Sequence, residues 1–414
     1  MAARDKDFDL VLLGATGFTG QLVAEYLVRK RIGHDGGDPG RARVRWALAG
    51  RSRDKLERVR RALAALDPTA AHLPIVVADS LDRAAMDDVA RRARLVCTTV
   101  GPYATYGDPL VAACAEAGAA YCDLTGETPW IRRTIDRWHD RAVATGARIV
   151  SCCGFDSIPS DLGVLMLHQH LASAGDRLAY AHYRVVRAAG GISGGTVASM
   201  MNLIENMGDP EVRRALADPY VLDPSGSPRG ADRTDSMGPR RDDDGRWTAP
   251  FVMAGVNTRV VRRSNALLNH AYGRDFRYDE AVDTGAGLLG LGKALGASAA
   301  MAAVGAVAML PPSRELLARF LPAPGEGPSR EKRERGHFQI EIRAKSASGK
   351  RLVGIVGGDL DPGYGQTAVM LGEAALCLAQ DDLPARGGVL TPAVTMGMTL
   401  VERLRAAGMT FRVA

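Results

Sequence analysis

Cysteine is sparse and unpatterned in this chain: Cys97, Cys114, Cys122, Cys152, Cys153 and Cys377 show neither metal-ligand spacing nor a disulfide-dense arrangement. That fits a reducing compartment and argues against a disulfide-stapled secreted domain. No histidine stands near Cys152 and Cys153 to activate a thiolate, so these are read as inert buried thiols. His168 and His170 lie two apart, on different faces if helical, and no metal site is expected. A cleavable leader is missing too, because MAARDKDFD is charged and runs straight into an apolar segment. The basic clusters at 51–61 and 330–335 are interleaved with Asp and Glu and hold no aromatic residue to stack on a base. The net charge of +6 therefore belongs to solvated helix faces rather than to nucleic-acid binding. No internal repeat is visible.

The composition that remains is that of a globular enzyme, 46% hydrophobic and 24% charged over 414 residues, with room for two domains. Its most informative dozen residues are DLVLLGATGFTG at 9–20, a buried strand that breaks into Gly14, Gly17 and Gly20. A glycine turn at a helix N-terminus is how open α/β sheets cradle a dinucleotide pyrophosphate, so Gly14, Ala15, Thr16, Gly17, Phe18, Thr19 and Gly20 are candidate cofactor residues. After a helical stripe at 21–30 and a polar loop at 33–40, VRWALAGR (44–51) reads as the second strand. An acidic residue at its end would hydrogen-bond a free ribose 2′-hydroxyl, whereas Arg clamps a 2′-phosphate. Here stands Arg51, with Ser52 and Lys55 close by, and NADP(H) is favoured over NAD. Strands at 74–80, 94–103, 120–127 and 147–157 alternate with helices at 54–66, 82–93, 108–118 and 129–145. Asp79 and Ser80 fall at a strand end where adenine could be held, and Gly101 and Pro102 where a wall of the nicotinamide site would be. The pattern predicts an α/β protein, a Rossmann-type doubly wound parallel sheet with a second α+β substrate domain.

Beyond about residue 160 the pattern changes. The expected organisation is a nucleotide-binding domain over 1–160, an inserted substrate domain over 161–365 and C-terminal elements over 366–414 that return to the first. Strands are predicted at 180–188, 337–346, 351–360 and 409–413, the middle two as a hairpin. Helices are predicted at 193–207, begun by Ser193 or Thr196, and at 366–380 and 397–407. Segment 223–247 reads as a mobile loop or lid and 385–393 as a Gly/Pro loop. From Gly285 to Pro312 the only charge is Lys293. Three readings stay open there: a membrane span, a buried helical hairpin, or a greasy surface that meets a lipid substrate or a bilayer.

GATGFTG, AGR at 49–51, VGPYATYG at 100–107, YCDLTGE at 121–127, CGFDSIPSDLG at 153–163 and the late DPGYG and GGVLTPA together resemble the saccharopine dehydrogenase-like oxidoreductases. Within them the chain is most similar to the actinobacterial trans-acting enoyl reductases. The resemblance implies an NADP-binding Rossmann domain and reduction of a carbon–carbon double bond in a long polyketide-type lipid chain. It also implies action beside a synthase that lacks its own reductase. Partner expectations are a carrier-bound lipid substrate, a polyketide synthase, peripheral contact at the inner face of the plasma membrane and a second copy in a homodimer. The location expected is cytoplasmic.

Such a reduction needs donors for charge developing on a thioester oxygen and a proton for the α-carbon. Tyr103 is the first candidate, Tyr106 the second, and Asp123 the third. Asp123, Glu127 and Asp156 read equally as helix caps. A Tyr-x-x-x-Lys reductase mechanism has only Tyr26 and Lys30 to draw on, too early in the fold. Two other classes stay open: an amino-acid dehydrogenase whose basic pocket comes from Arg184, Arg187, Arg259, Arg262 and Arg263, and a non-catalytic membrane-associated NADP(H)-binding protein.

Overall fold

The computed structural model describes residues 6–30, 44–190, 194–232, 235–309 and 326–414. The polar loop at 33–40, Ser193 as a helix start and Pro311–Pro312 lie outside the described residues.

A strand covered on both faces has no place for charge in its centre. β1 (Phe8–Leu13), β2 (Trp46–Gly50), β3 (Ile75–Val77), β4 (Ala93–Thr98), β5 (Ala120–Cys122) and β6 (Arg148–Val150) carry charge only in their first two residues. They pair in parallel in the order β6-β5-β4-β1-β2-β3, and a further strand from Gly388–Leu390 is added beside β6. The helices α1 (Phe18–Arg29), α2 (Arg53–Ala64), α3 (Arg83–Arg92), α4 (Asp108–Ala117) and α5 (Thr128–Thr145) are the crossovers. Leu10 and Leu12 of β1 join one core and Val11 and Leu13 the other, as a period of two requires. Each such side chain contributes roughly 1.5–3 kcal/mol.

The strands expected over 120–127 and 147–157 pair for three residues each. Past Cys122 and Val150 the sheet ladder gives way to a side chain: the Asp123 carboxylate takes the N–H groups of Thr125 and Cys152. After β6, α6 (Ile158–Ala172) is buried almost all round, so it shows no helical stripe in the sequence.

The second sheet has the order β14-β12-β11-β7-β10-β9-β8, built from β7 (Leu178–Ala189), β8 (Arg240–Arg241), β9 (Arg246–Pro250), β10 (Arg277–Ala286), β11 (His337–Ser346), β12 (Arg351–Gly358) and β14 (Thr410–Val413), with β13 naming Gly388–Leu390 of the first sheet. Only β7 and β10 run parallel. Phe338, Ile340, Ile342 and Ala344 alternate inward along β11 and join α6 in a core continuous with the first sheet. The remaining helices of ten or more residues among the described residues are α7 (Gly194–Glu205), α8 (Ala254–Leu267), α9 (Gly287–Met309), α10 (Gly365–Gln380) and α11 (Gly397–Ala406). α10 packs beside α1, and its buried Glu373 accepts from Tyr26 while pairing with Lys30 and Arg403. Tyr26 and Lys30 are thus consumed in the scaffold.

Three expectations are corrected here. The loop or lid at 223–247 contains β8 and the start of β9, which pair with each other. The Gly/Pro loop at 385–393 contains β13, a three-residue strand too short to show a period. The described part of segment 285–312 is the last two residues of β10 followed by one helix, α9, whose Leu288, Leu289 and Leu295 are 87%, 74% and 52% exposed, so its first turns are not buried. Among the described residues no helix is long and apolar enough to cross a membrane.

Candidate functional site

β1 ends at Leu13 and α1 begins at Phe18, so four residues must turn the chain. Gly14 does so at φ +87°, its N–H on the Ala49 carbonyl at 3.0 Å, where a Cβ would lie 2.7 Å from Thr99 Oγ1. A Cβ on Gly20 would collide with the Gly14 carbonyl oxygen. Gly17 donates to that oxygen at 2.9 Å and caps α1 with no side-chain hydrogen bond, which leaves the first N–H groups of the helix without a side-chain acceptor. Uncommitted N–H groups and the positive end of the helix dipole suit a pyrophosphate. Ala15 is buried with its N–H on Ala49 O, Thr16 and Thr19 are half-exposed, and the Phe18 ring meets Tyr364 edge-on at 5.3 Å.

At the end of β2, Arg51 is exposed and makes no hydrogen bond or ion pair among the described residues. Ser52 Oγ caps α2 by accepting from the Lys55 N–H at 3.5 Å, while the Lys55 side chain is exposed. Asp79 shapes its own turn through the Leu81 N–H at 3.0 Å, and Ser80 is buried beside it. Along the same edge, Gly101 and Pro102 end the β4 connection, and Ser199 of α7 stands against them.

Past Pro102 the edge is organised by carboxylates. Glu127 accepts from the N–H groups of Tyr103 and Ala104, both at 2.8 Å, and from Ser199 Oγ at 3.0 Å, so it ties the β4 loop to the inserted helix α7. Tyr103 is 3% exposed, and its hydroxyl donates to the Thr98 carbonyl at 3.2 Å. Burial holds that phenol well above its usual range. Tyr106 is half-buried, its N–H donates to the Pro102 carbonyl at 3.0 Å, and its hydroxyl makes no hydrogen bond among the described residues. Asp123 is wholly buried and accepts from Tyr121, Ser151, Thr125 and Cys152 at 2.7 to 3.1 Å. Burial raises its carboxyl to about 6, the four donors limiting the rise.

Asp156 differs from both acids. It is half-buried, and no side chain or helix N–H among the described residues bonds it; α6 begins behind Ser157 without a side-chain cap. The helix-cap reading is corrected for all three acids: Glu127 stands at the N-cap of α5 without a side-chain cap bond, and Asp123 and Glu127 bond N–H groups of neighbouring loops instead, while Asp156 does neither. Ser199 gave no sequence signal, since 72 residues separate it from Glu127.

Comparison with known proteins settles the family. A Mycobacterium tuberculosis chain assigned as a trans-acting enoyl reductase is 45% identical, covering all of this chain and 99% of its own. The trans-acting enoyl reductases of Mycobacterium bovis and Mycobacterium ulcerans are 43% and 42% identical, each over 99% of this chain and 98% of the relative. The chain belongs to the trans-acting enoyl reductase family. Residues 10–150 match the saccharopine dehydrogenase NADP-binding domain, so the protein is an NADP-dependent oxidoreductase and its cofactor is NADP(H). The fold is that of saccharopine dehydrogenase (L-Glu forming) from Saccharomyces cerevisiae, with a TM-score of 0.51 at 13% identity over 98% of this chain and 99% of that one.

The arginines expected to form a pocket for a multiply charged amino acid are spent elsewhere in this family member. Arg259 binds Asp235 and the carbonyls of Leu216, Asp218 and Gly255; Arg262 binds Asp232 and the carbonyls of Pro219 and Tyr278. Arg263 donates to the carbonyls of Leu222 and Val389, and burial pulls its guanidinium down to about 9. Arg184 bridges Asp244 and Glu341. Only Arg187 is exposed. The basic-pocket reading is overturned because α8 turns its arginines into protein rather than toward a cleft.

Proposed function

We propose that this protein reduces a carbon–carbon double bond in a long-chain, carrier-bound polyketide or lipid intermediate, working in trans with a synthase. The observation that carries this is the set of polar groups along the carboxyl edge of the first sheet whose side chains or N–H groups find no side-chain partner among the described residues: Arg51, the α1 N-terminus, Tyr106 after β4 and Asp156 after β6. It supports the reading that the relatives' names suggest. NADPH bound there supplies hydride. Arg51 clamps its 2′-phosphate, the turn from Gly14 to Gly20 holds the pyrophosphate, and Ser52, Lys55, Asp79 and Ser80 border the adenosine end. Gly101 and Pro102 wall the nicotinamide end.

Tyr103 and Asp123 act as positioning residues, because their polar atoms are occupied in fastening the β4, β5 and β6 loops. Glu127 and Ser199 close α7 against the same place, and Tyr106 keeps a hydroxyl for the thioester oxygen. The residues from 161 to 365 serve as the substrate unit. The exposed leucines of α9 offer apolar surface to the acyl chain, and that surface is the place to look for peripheral contact with a bilayer.

Fluorescence titration with NADPH and NADH, followed by turnover of 2-enoyl thioesters, tests the reading. NADPH should bind at least tenfold more tightly than NADH. Arg51→Ala should cost about 10–100-fold toward NADPH alone, the equivalent of one charge-assisted bidentate contact. Equal affinities, or no NADPH consumption with any enoyl thioester, would overturn it.

A further inference from the structure

Among the acids at the carboxyl edge of the first sheet, Asp156 has the setting of a working group rather than a structural one. Its carboxyl reaches across two glycines: a Cβ on Gly154 would lie 3.3 Å from Asp156 Oδ2, and one on Gly126 would lie 3.9 Å from Oδ1. The same two positions look onto Leu124, Met253 and Val256, so the carboxyl stands where the loops after β5 and β6 meet the start of α8. Both glycines keep side chains away from it. Neighbouring strands lie about 4.8 Å apart, which puts the end of β6 at Val150 roughly 10 Å along the edge from the end of β4 at Thr98.

We propose that Asp156 is the proton donor of the reduction, giving its carboxyl proton to the α-carbon of the substrate. The step rests on the enoyl reduction proposed above. Hydride reaches the β-carbon, the C=C π pair moves toward the thioester carbonyl, and the resulting enolate takes the Asp156 proton. The O–H bond breaks, the Cα–H bond forms, the carboxylate remains, and solvent returns the proton. Two electrons and one proton enter with the hydride and one proton comes from the acid, so the alkene becomes a saturated CH–CH unit.

A donor must be protonated at the working pH. Burial raises the Asp156 carboxyl to about 7, and the Asp123 charge adds to the rise. Its own backbone N–H is what pulls the other way. Besides Asp123 the titratable neighbour is the Cys152 thiol; Met253, Val256 and Thr367 bring no charge. Among the described residues nothing positive faces the carboxyl to keep it ionised, as in other acids that work from apolar niches.

The test compares the full-length protein with Asp156→Asn and Asp156→Glu, using a 2-enoyl N-acetylcysteamine thioester and NADPH. Asp156→Asn should lower kcat at least 100-fold, leave KM and NADPH affinity within about threefold, and abolish a fall in wild-type kcat as pH rises through about 7. Asp156→Glu should restore part of kcat and the pH limb. Unchanged kcat and pH limb in Asp156→Asn would overturn the assignment while leaving enoyl reduction intact. A wild type that binds NADPH yet reduces no enoyl thioester would overturn both together. Carbon-13 NMR titration of the ligand-free wild type serves even if the variants fail to fold: a carboxyl still neutral at pH 6 supports the donor, and one ionised by pH 5 defeats it.

Discussion

In the first sheet the charged and polar groups gather at one edge and several find no side-chain partner among the described residues; in the second they cover one face and are spent on one another. Arg51, Tyr106, Asp156 and the α1 N–H groups belong to the first pattern. In the second, His182 sits between Asp279 and Asp242, Tyr180 donates to Asp279, Arg184 bridges Asp244 and Glu341, and Arg246 forks onto Asp283. These bonds tie the turn of the β8–β9 hairpin, at the edge of the sheet, back to β7. The difference follows from strand direction. Parallel strands with crossover helices align their carboxyl ends, so their loops converge on one place. A mixed sheet with one face buried puts its polar alternation on the other, where charges must pair with each other. Charge that is already paired has little left for a ligand.

The largest expected effect breaks the uncommitted edge. Gly20→Val should weaken NADPH binding at least 100-fold, because the side chain would drive the Gly14 carbonyl out of the turn. Retained affinity in the same fluorescence titration would show that the turn is not the phosphate site.

Next comes a probe of spent charge. Arg263→Met should cost about 2–4 kcal/mol in urea unfolding, since two buried carbonyls lose their donors. NADPH affinity should stay within twofold. A stable variant that no longer binds NADPH would dissolve the contrast between the two sheets.

The smallest effect is one of pH. His182 is pushed from 6.5 to about 9: burial opposes its charge, and the Asp242 and Asp279 hydrogen bonds outweigh it. A raised histidine stabilises fully below the unfolded value and loses that contribution as pH climbs through 9, at most about 3 kcal/mol. Asp123, Asp156 and Asp161 are raised by burial to about 6, 7 and 7, so their protonated forms favour the fold and stability falls as pH rises from about 4 to 7. Urea midpoints between pH 4 and 10 should therefore fall in two waves. His182→Gln should erase the upper wave alone and Asp156→Asn should shrink the lower one; a single wave erased by either change would mean the two regions titrate as one.

The alternation of strands and helices, the cofactor class and the glycine turn were legible because they depend on local pattern: apolar runs of fixed length, glycines at a strand end, an arginine at the end of the second strand. β13 and α6 were not. A three-residue strand has no period to read, and a helix buried on all sides has no polar face to reveal its pitch. Glu127, Ser199 and Asp156 show the same limit at the site. Asp123, Glu127 and Asp156 look alike in sequence, each an acid near a strand end with glycine neighbours.

The amino-acid sequence by itself determined that this chain folds around a parallel nucleotide-binding sheet, takes NADP(H) and belongs among the trans-acting enoyl reductases. Backbone sterics and hydrophobic periodicity act over a few residues and leave their mark in one dimension. Only the tertiary structure decided which charges are available. Hydrogen-bond saturation is a property of neighbours brought together from distant parts of the chain, and it locks Asp123, Arg259, Arg262 and Arg263 into the scaffold, while among the described residues the side chains of Asp156 and Arg51 bond no other residue.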